Sequence, residues 1–426
     1  MERNDPRYQA YVEILKEELI PAMGCTEPIA LAYAAAKARE VLGVLPDSVQ
    51  LQVSGSIIKN VKSVIVPNTG HLKGMEAAVA AGIIAGSAEK ELEVISEVSE
   101  EKKSAIRDYL QTVPITIEHA EQGHVFDIVV TERCGQDYAR VRIADYHTNI
   151  CRIEKNGTVL YEVPLLDETV QEDARADRSL LNMQDIWDFA ETADLRDVAD
   201  LLERQIRYNN AIAEEGLLGD YGANIGRVLL TTYGNDVSNR AKAKAAAGSD
   251  ARMNGCELPV IINSGSGNQG ITCSVPLIEY AKELHSGKEK LYRALIISNL
   301  VAIHEKTGIG TLSAYCGAVS AGAGAGAGIV YLCGDGYQAA IHTVVNALAI
   351  VSGIVCDGAK ASCAAKIASS VDAALLGYNM YKCNQEFKGG DGIVMKDIET
   401  TIKGIGRLGK DGMKETNEEI IRLMIE

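Results

Sequence analysis

Residues 318–328 read Ala-Val-Ser-Ala-Gly-Ala-Gly-Ala-Gly-Ala-Gly. A stretch with almost no side chains lets a second backbone come very close, so it belongs deep among packed elements. Four of the ten cysteines lie around it: Cys316, Cys333, Cys356 and Cys363. Cys356 and Cys363 have six residues between them, so on a helix they share one face. With Cys316 they make three thiols able to meet at one point. The spacing is neither the Cys-x2-Cys pairing of zinc fingers nor the Cys-x2-Cys-x2-Cys run of a ferredoxin. Three thiolates can hold an iron–sulfur cluster with one iron free; equally, buried Cys packs as a small hydrophobe. Spacing alone leaves the two readings level.

At 426 residues the chain can bury a large core. Its net charge of −16 argues against nucleic acid and acidic membrane surfaces as partners. The charged start, Met1-Glu-Arg-Asn-Asp-Pro6, does not resemble a signal peptide, so the expected location is the cytoplasm, with the cysteines as reduced thiols or metal ligands. Polar interruptions at Asp335, His342 and Asn346 make the apolar stretches core helices, not membrane spans.

Residues 6 to 42 read as helix broken at Pro21–Pro28, with Thr26 an N-cap and Cys25 just ahead of a helix start. A helix N-terminus favours a thiolate, and a reactive and a structural Cys25 are equally expected. Alternation predicts strands at 49–54 and 61–66, and a run of short strands between 114 and 163. Beyond Pro164 helical periodicity dominates, after a charged connector over 167–178. The expected fold class is α+β. N-terminal helices (1–44) pack on the helical domain, a smaller α+β domain with a mostly antiparallel sheet spans 45–168, and a large helical domain spans 169–426.

Asn263-Ser-Gly-Ser-Gly-Asn-Gln-Gly270 is the densest turn motif, able to aim backbone N–H groups and the Ser264, Ser266, Asn268 and Gln269 side chains at a carboxylate or phosphate, or merely to link helices. It is similar to the phosphate loop of pyridoxal-phosphate eliminases. The upstream lysines Lys242 and Lys244 sit in Ala-rich helix, however, without the strands such enzymes need. His147 reads as a proton carrier or a turn residue. The Lys388–Gly392 turn reads as a plain turn.

Together, Gly24-Cys-Thr-Glu-Pro28, His147-Thr-Asn149, Ser249-Asp-Ala-Arg252-Met, Asn263 to Thr272, and Cys356-Asp-Gly-Ala with Cys363 resemble the iron–sulfur L-cysteine desulfidases. The resemblance spans nearly the whole chain. The Cys316 and Cys356-Asp-Gly segments also look like the α-domain of iron–sulfur L-serine dehydratases, where the spacing to the third cysteine is longer than here, which makes Cys363 the least certain ligand. The resemblance implies β-elimination from L-cysteine to hydrogen sulfide, ammonia and pyruvate, on a [4Fe–4S] cluster held by Cys316, Cys356 and Cys363. It implies Cys25 as the base, Ser264 to Gly270 around the substrate carboxylate, and Asn60, Asn68 and His147 as helpers. An L-serine dehydratase and a non-catalytic cysteine or redox sensor are the alternatives, and a homodimer stays open.

Overall fold

The computed structural model describes residues 1–120, 124–165, 176–310 and 312–425. Its architecture is α+β. A six-stranded mixed sheet runs in the order β3-β2-β4-β5-β6-β7, from β2 (Ser48–Val53) to β7 (Thr158–Glu162). Only β2 and β3 (Ile115–His119) pair in parallel; β4 (Asp127–Cys134), β5 (Asp137–Ala144), β6 (Ile150–Lys155) and β7 form an antiparallel meander. Period-two burial orients the sheet: Val49, Leu51 and Val53 face the core while Gln50 and Gln52 bind Glu118 on the outer side.

The helix Pro6–Glu18 packs on the helical part of the molecule, where the Tyr8 and Tyr11 rings meet Phe189 edge-on. The helix Thr26–Leu42 does not follow it there. Its alanine-rich surface is narrow enough to lie flat across β4 and β5 and against the helix Gly74–Ala85. The strand expected at 61–66 is instead the end of a helix, Gly55–Val61, followed by an irregular segment. Side chains from both its faces are buried, and that removed the polar face by which a helix is recognised. The turn 121–123 and most of the 167–178 connector lie outside the described residues.

The Ala-Gly run forms the helix Gly317–Cys333, sandwiched between the helices Lys288–Ile309 and Ser362–Lys382. A methyl at Gly324 would stand 2.4 Å from the Ser298 carbonyl, and one at Gly322 would stand 2.8 Å from Ser370. Glycine here is what allows backbone-to-backbone packing. A two-stranded ribbon joins β1 (Pro21–Met23) to β8 (Pro259–Ile261), pairing Ala22 with Val260. It brings Gly24–Pro28 and the Asn263–Gly270 loop, more than two hundred residues apart in sequence, to one place. Among the described residues no helix is long and apolar enough to cross a membrane.

Candidate active site

Cys25 is the N-cap of the helix Thr26–Leu42 and is buried. Its Sγ does not cap the helix. It donates instead to Glu27 Oε2 at 3.0 Å. Asn60 Nδ2 donates to the other oxygen, Glu27 Oε1, at 2.9 Å. The Thr26 hydroxyl lies 3.1 Å from Glu27 Oε2 and 3.0 Å from the Gly265 carbonyl, tying this turn to the glycine-rich loop. Burial and the Glu27 carboxylate push the Cys25 thiol well above its ordinary pKa. The thiolate expected from the helix start is therefore not the resting form, because desolvation of a buried sulfur and a neighbouring negative charge outweigh a half-charge of helix dipole. Burial alone would also lift the Glu27 carboxyl, but the His147 ring, the Cys25 thiol, its own backbone N–H and Arg252 outweigh it, leaving its pKa lowered. Burial lowers the His147 pKa, partly opposed by Glu27.

Arg252 is 2 % exposed, a guanidinium enclosed by the fold. It lies close enough to influence Cys25, Glu27 and His147. A Cβ on Gly267 would stand 2.3 Å from Arg252 Nε, and one on Gly265 would stand 3.2 Å from the His147 ring. Two of the loop's glycines thus make room for the two basic side chains. Around them stand buried polar atoms without hydrogen-bond partners: Asn60 Oδ1, His147 Nε2, Arg252 Nε, Asn268 Oδ1 and Gln269 Oε1. Leaving such an atom unsatisfied costs about 1–3 kcal/mol. Four of the five belong to the glycine-rich loop or to side chains lying against it, which marks that loop as shaped for a polar guest.

Backbone pairing, and not a shared helix face, sets Cys316 beside Cys356. An antiparallel bridge pairs Tyr315 with Val355, and Cys356 N donates to the Ala314 carbonyl at 2.6 Å. Cys316 caps the helix Gly317–Cys333, Cys356 lies in a loop, and Cys363 sits in the first turn of the helix Ser362–Lys382. Burial pushes the Cys316 thiol up to about 12, and Cys356 and Cys363 add to the rise. Burial likewise raises Cys363, with Cys356 contributing. Two lysines face the group. Lys306 is drawn down to about 8 by burial, against Cys356 and Cys316. Lys59, 1 % exposed, is lowered by burial against Cys356, Glu27, Asp357 and Cys316. Lys59 Nζ donates to Asn417 Oδ1 at 2.6 Å, within electrostatic reach of both the thiols and Glu27, and the next residue, Asn60, holds Glu27 directly.

Family comparison rests on the part of the chain that holds the thiols. A family model described as serine dehydratase alpha chain matches residues 89–422. The chain belongs to this family. Relatives extend over its whole length. A UPF0597 protein of Desulfitobacterium hafniense is 62 % identical over 425 residues, covering 100 % of this chain and 98 % of its own. One from Lachnoclostridium phytofermentans is 53 % identical, with 98 % and 100 % covered, and one from Treponema denticola is 46 % identical, with 100 % of each covered. Membership in the serine dehydratase alpha family gives the chain a lyase-type, iron–sulfur character. The matched range includes the thiols, the glycine-rich loop, Arg252 and His147, whereas Cys25, Glu27 and Asn60 lie upstream of it.

Of the residues singled out from sequence, Cys25 and Asn60 meet at Glu27, His147 lies against Gly265 of the glycine-rich loop, and Asn268 and Gln269 are buried in that loop. Gln269 also lies against Gly317, next to Cys316. Ser264 turns its hydroxyl to Asn263 Oδ1 at 2.9 Å, and Ser266 caps the helix Gly267–Glu283 without a side-chain bond. Asn68 is occupied elsewhere: its Nδ2 donates to the Ile95 carbonyl at 2.8 Å, because a positive φ turns it into the loop that supports Gly24. Glu27, Lys59, Arg252 and Lys306 escaped attention in the sequence. Glu27 and Arg252 do fall inside conspicuous motifs, and that was the available signal.

Proposed function

We propose that the chain is an L-cysteine desulfidase, which eliminates sulfide from L-cysteine and yields pyruvate and ammonia. The observation that carries the reading is the contact of the Cys356-Asp-Gly358 loop with the helix that bears Lys59 and Asn60: a Cβ on Gly358 would stand 2.1 Å from the Lys59 carbonyl, and Asn60 holds Glu27.

The donor set suits an iron–sulfur cluster. Among the described residues no three His, Cys, Asp or Glu side chains are gathered to hold a single ion. Thiolates on one zinc stand only about 3.8 Å apart. Cluster thiolates each end on a different iron and stand wider, and here the thiols are near enough to raise one another's pKa. Cys316, Cys356 and Cys363 would hold a [4Fe–4S] cluster, with Lys59 and Lys306 balancing thiolate charge. Once bound, such a cluster supplies an open iron, a Lewis acid that makes the substrate sulfur a better leaving group.

The remaining work falls to the chain. The Cys25–Glu27 pair shares one proton at rest and accepts a second from the substrate Cα. The electron pair left on Cα forms the Cα=Cβ bond as the Cβ–S bond breaks, and the sulfur departs with its bonding pair as sulfide. The product aminoacrylate tautomerises to an imine, and water hydrolyses it to pyruvate and ammonia. Asn60, donating to Glu27 Oε1, keeps the Glu27 carboxylate oriented.

The test is anaerobic incubation of the iron–sulfur-reconstituted protein with L-cysteine, reading sulfide and pyruvate together. Equimolar release is expected; no release would end the reading. The family model favours a second reading, an L-serine dehydratase using the same residues to expel hydroxide. Parallel incubation with L-serine separates them.

A further inference from the structure

We propose that Arg252 and the uncapped start of the helix Gly267–Glu283 bind the α-carboxylate of an amino acid, whose ammonium goes to the side-chain oxygens of Asn60, Asn268 and Gln269. The proposal shares with the desulfidase reading only the class of substrate, not the chemistry.

The guanidinium is the starting point. Burying an arginine is costly unless its donors are met, and a buried guanidinium is ordinarily matched by a carboxylate in a two-bond fork. Arg252 is 2 % exposed, and its Nε has no partner. Nearby Glu27 does not serve it: the Glu27 oxygens accept from Cys25, Thr26 and Asn60. The guanidinium lies over Gly267, where a Cβ would meet Nε at 2.3 Å and Cζ at 2.7 Å. That places it at the first turn of a 17-residue helix, whose N-cap Ser266 makes no side-chain bond. The N–H groups of Gly267, Asn268 and Gln269 have no intrahelical acceptor, and the helix dipole adds positive potential. A single small anion can satisfy both the fork and the helix end.

The second half is acceptor-rich. Asn60 Oδ1, Asn268 Oδ1 and Gln269 Oε1 are buried without donors. An ammonium carries three N–H donors and no acceptor, so three oxygens suit it. A phosphate would leave these oxygens unmet, and a simple amine would leave Arg252 unmet. An α-amino acid answers both.

The probe is L-alanine, which has both groups and no leaving group at Cβ, titrated calorimetrically into the full-length protein with and without iron–sulfur reconstitution. Propionate and ethylamine, each lacking one group, serve as comparisons. L-Alanine is expected to bind, with each comparison compound weaker by at least about 100-fold. Arg252→Gln should weaken L-alanine by about the same factor, and Arg252→Lys, keeping charge without the fork, by less. Hydrogen exchange on the wild-type protein needs no variant to fold: L-alanine should slow exchange in peptides covering 264–270. Absence of L-alanine binding, ethylamine binding as well as L-alanine, or protection elsewhere only would overturn the proposal. If L-alanine depends on Arg252 while L-cysteine is not consumed, the desulfidase reading falls and this one stands. Sulfide release with L-alanine binding indifferent to Arg252 would be the reverse.

Discussion

Cys25 Sγ donates to Glu27 Oε2 at 3.0 Å inside a buried turn, a protonated thiol facing an ionised carboxylate. Neither group alone is a strong base in this state. The thiol is held protonated by burial and by Glu27, and the carboxylate is stabilised by the donors around it. Their shared proton makes the pair, more than the sulfur, the unit whose chemistry counts. Coupled groups of this kind titrate together.

The pair should therefore fail as a pair. Cys25→Ser and Glu27→Gln are each expected to lower L-cysteine turnover by at least about 100-fold, the usual share of a general base. Iron and acid-labile sulfide content should stay at wild-type level, since neither residue is among the three thiols. Loss of iron in Cys25→Ser would instead make Cys25 a ligand. Unchanged turnover would remove the pair from the mechanism.

Raised thiol pKa values also predict a reactivity pattern. Thiolate is the species that alkylates, and burial holds Cys25, Cys316 and Cys363 above the ordinary value. In cluster-free protein at pH 7.5, iodoacetamide should label exposed Cys383 well before Cys25 and Cys316. Peptide mapping by mass spectrometry reads the order. Early labelling of Cys25 would show that it ionises readily after all.

What could be read from the sequence was local. The Ala-Gly run does pack backbone to backbone, as Gly322 and Gly324 show. The glycine-rich loop does meet the turn that holds Cys25, where the Thr26 hydroxyl donates to the Gly265 carbonyl at 3.0 Å. What escaped depends on contacts across hundreds of residues. Arg252 sits in alanine-rich helix and looks like a solvated charge until the fold buries it over Gly267. The dipole argument for Cys25 considered its own helix and could not see that the site is closed to water. Cys356 and Cys363 do not share a helix, and the bridge between Tyr315 and Val355 is what sets Cys356 beside Cys316.

Asp250, two residues before Arg252, gives a pH signature opposite to that of most carboxylates. Burial lifts it to about 6, although Oδ2 accepts the Ile225 N–H at 2.7 Å. A folded pKa above the unfolded value of about 3.9 means its contribution is fully present below pH 4 and is lost as pH rises through about 6. Asp250→Asn keeps an acceptor for Ile225 and removes the charge. It should stabilise the fold by about 1 kcal/mol at pH 7.5, allowing for solvent screening, and by almost nothing at pH 4. Denaturant unfolding at the two pH values checks this, and an equal effect at both would refute it.

Gly358 offers the most direct test of how the two halves of the site are joined. Its φ is +96°, a conformation open to glycine and strained for alanine, and a Cβ there would stand 2.1 Å from the Lys59 carbonyl. The Cys356-Asp-Gly358 loop therefore rests directly on the helix that carries Lys59 and Asn60. In Gly358→Ala the loop must lift away. Strain and lost packing together should cost about 2–4 kcal/mol in denaturant unfolding. Cys356 moves with the loop, so iron retained after reconstitution should fall below half of wild type. Gly353→Ala, where an added methyl meets nothing within 4 Å, is the control and should leave both measurements unchanged. Full iron retention in Gly358→Ala would mean that the thiols keep their arrangement without the Lys59 helix beneath them, and the proposed coupling of thiols to the Cys25–Glu27 turn would lose its physical basis.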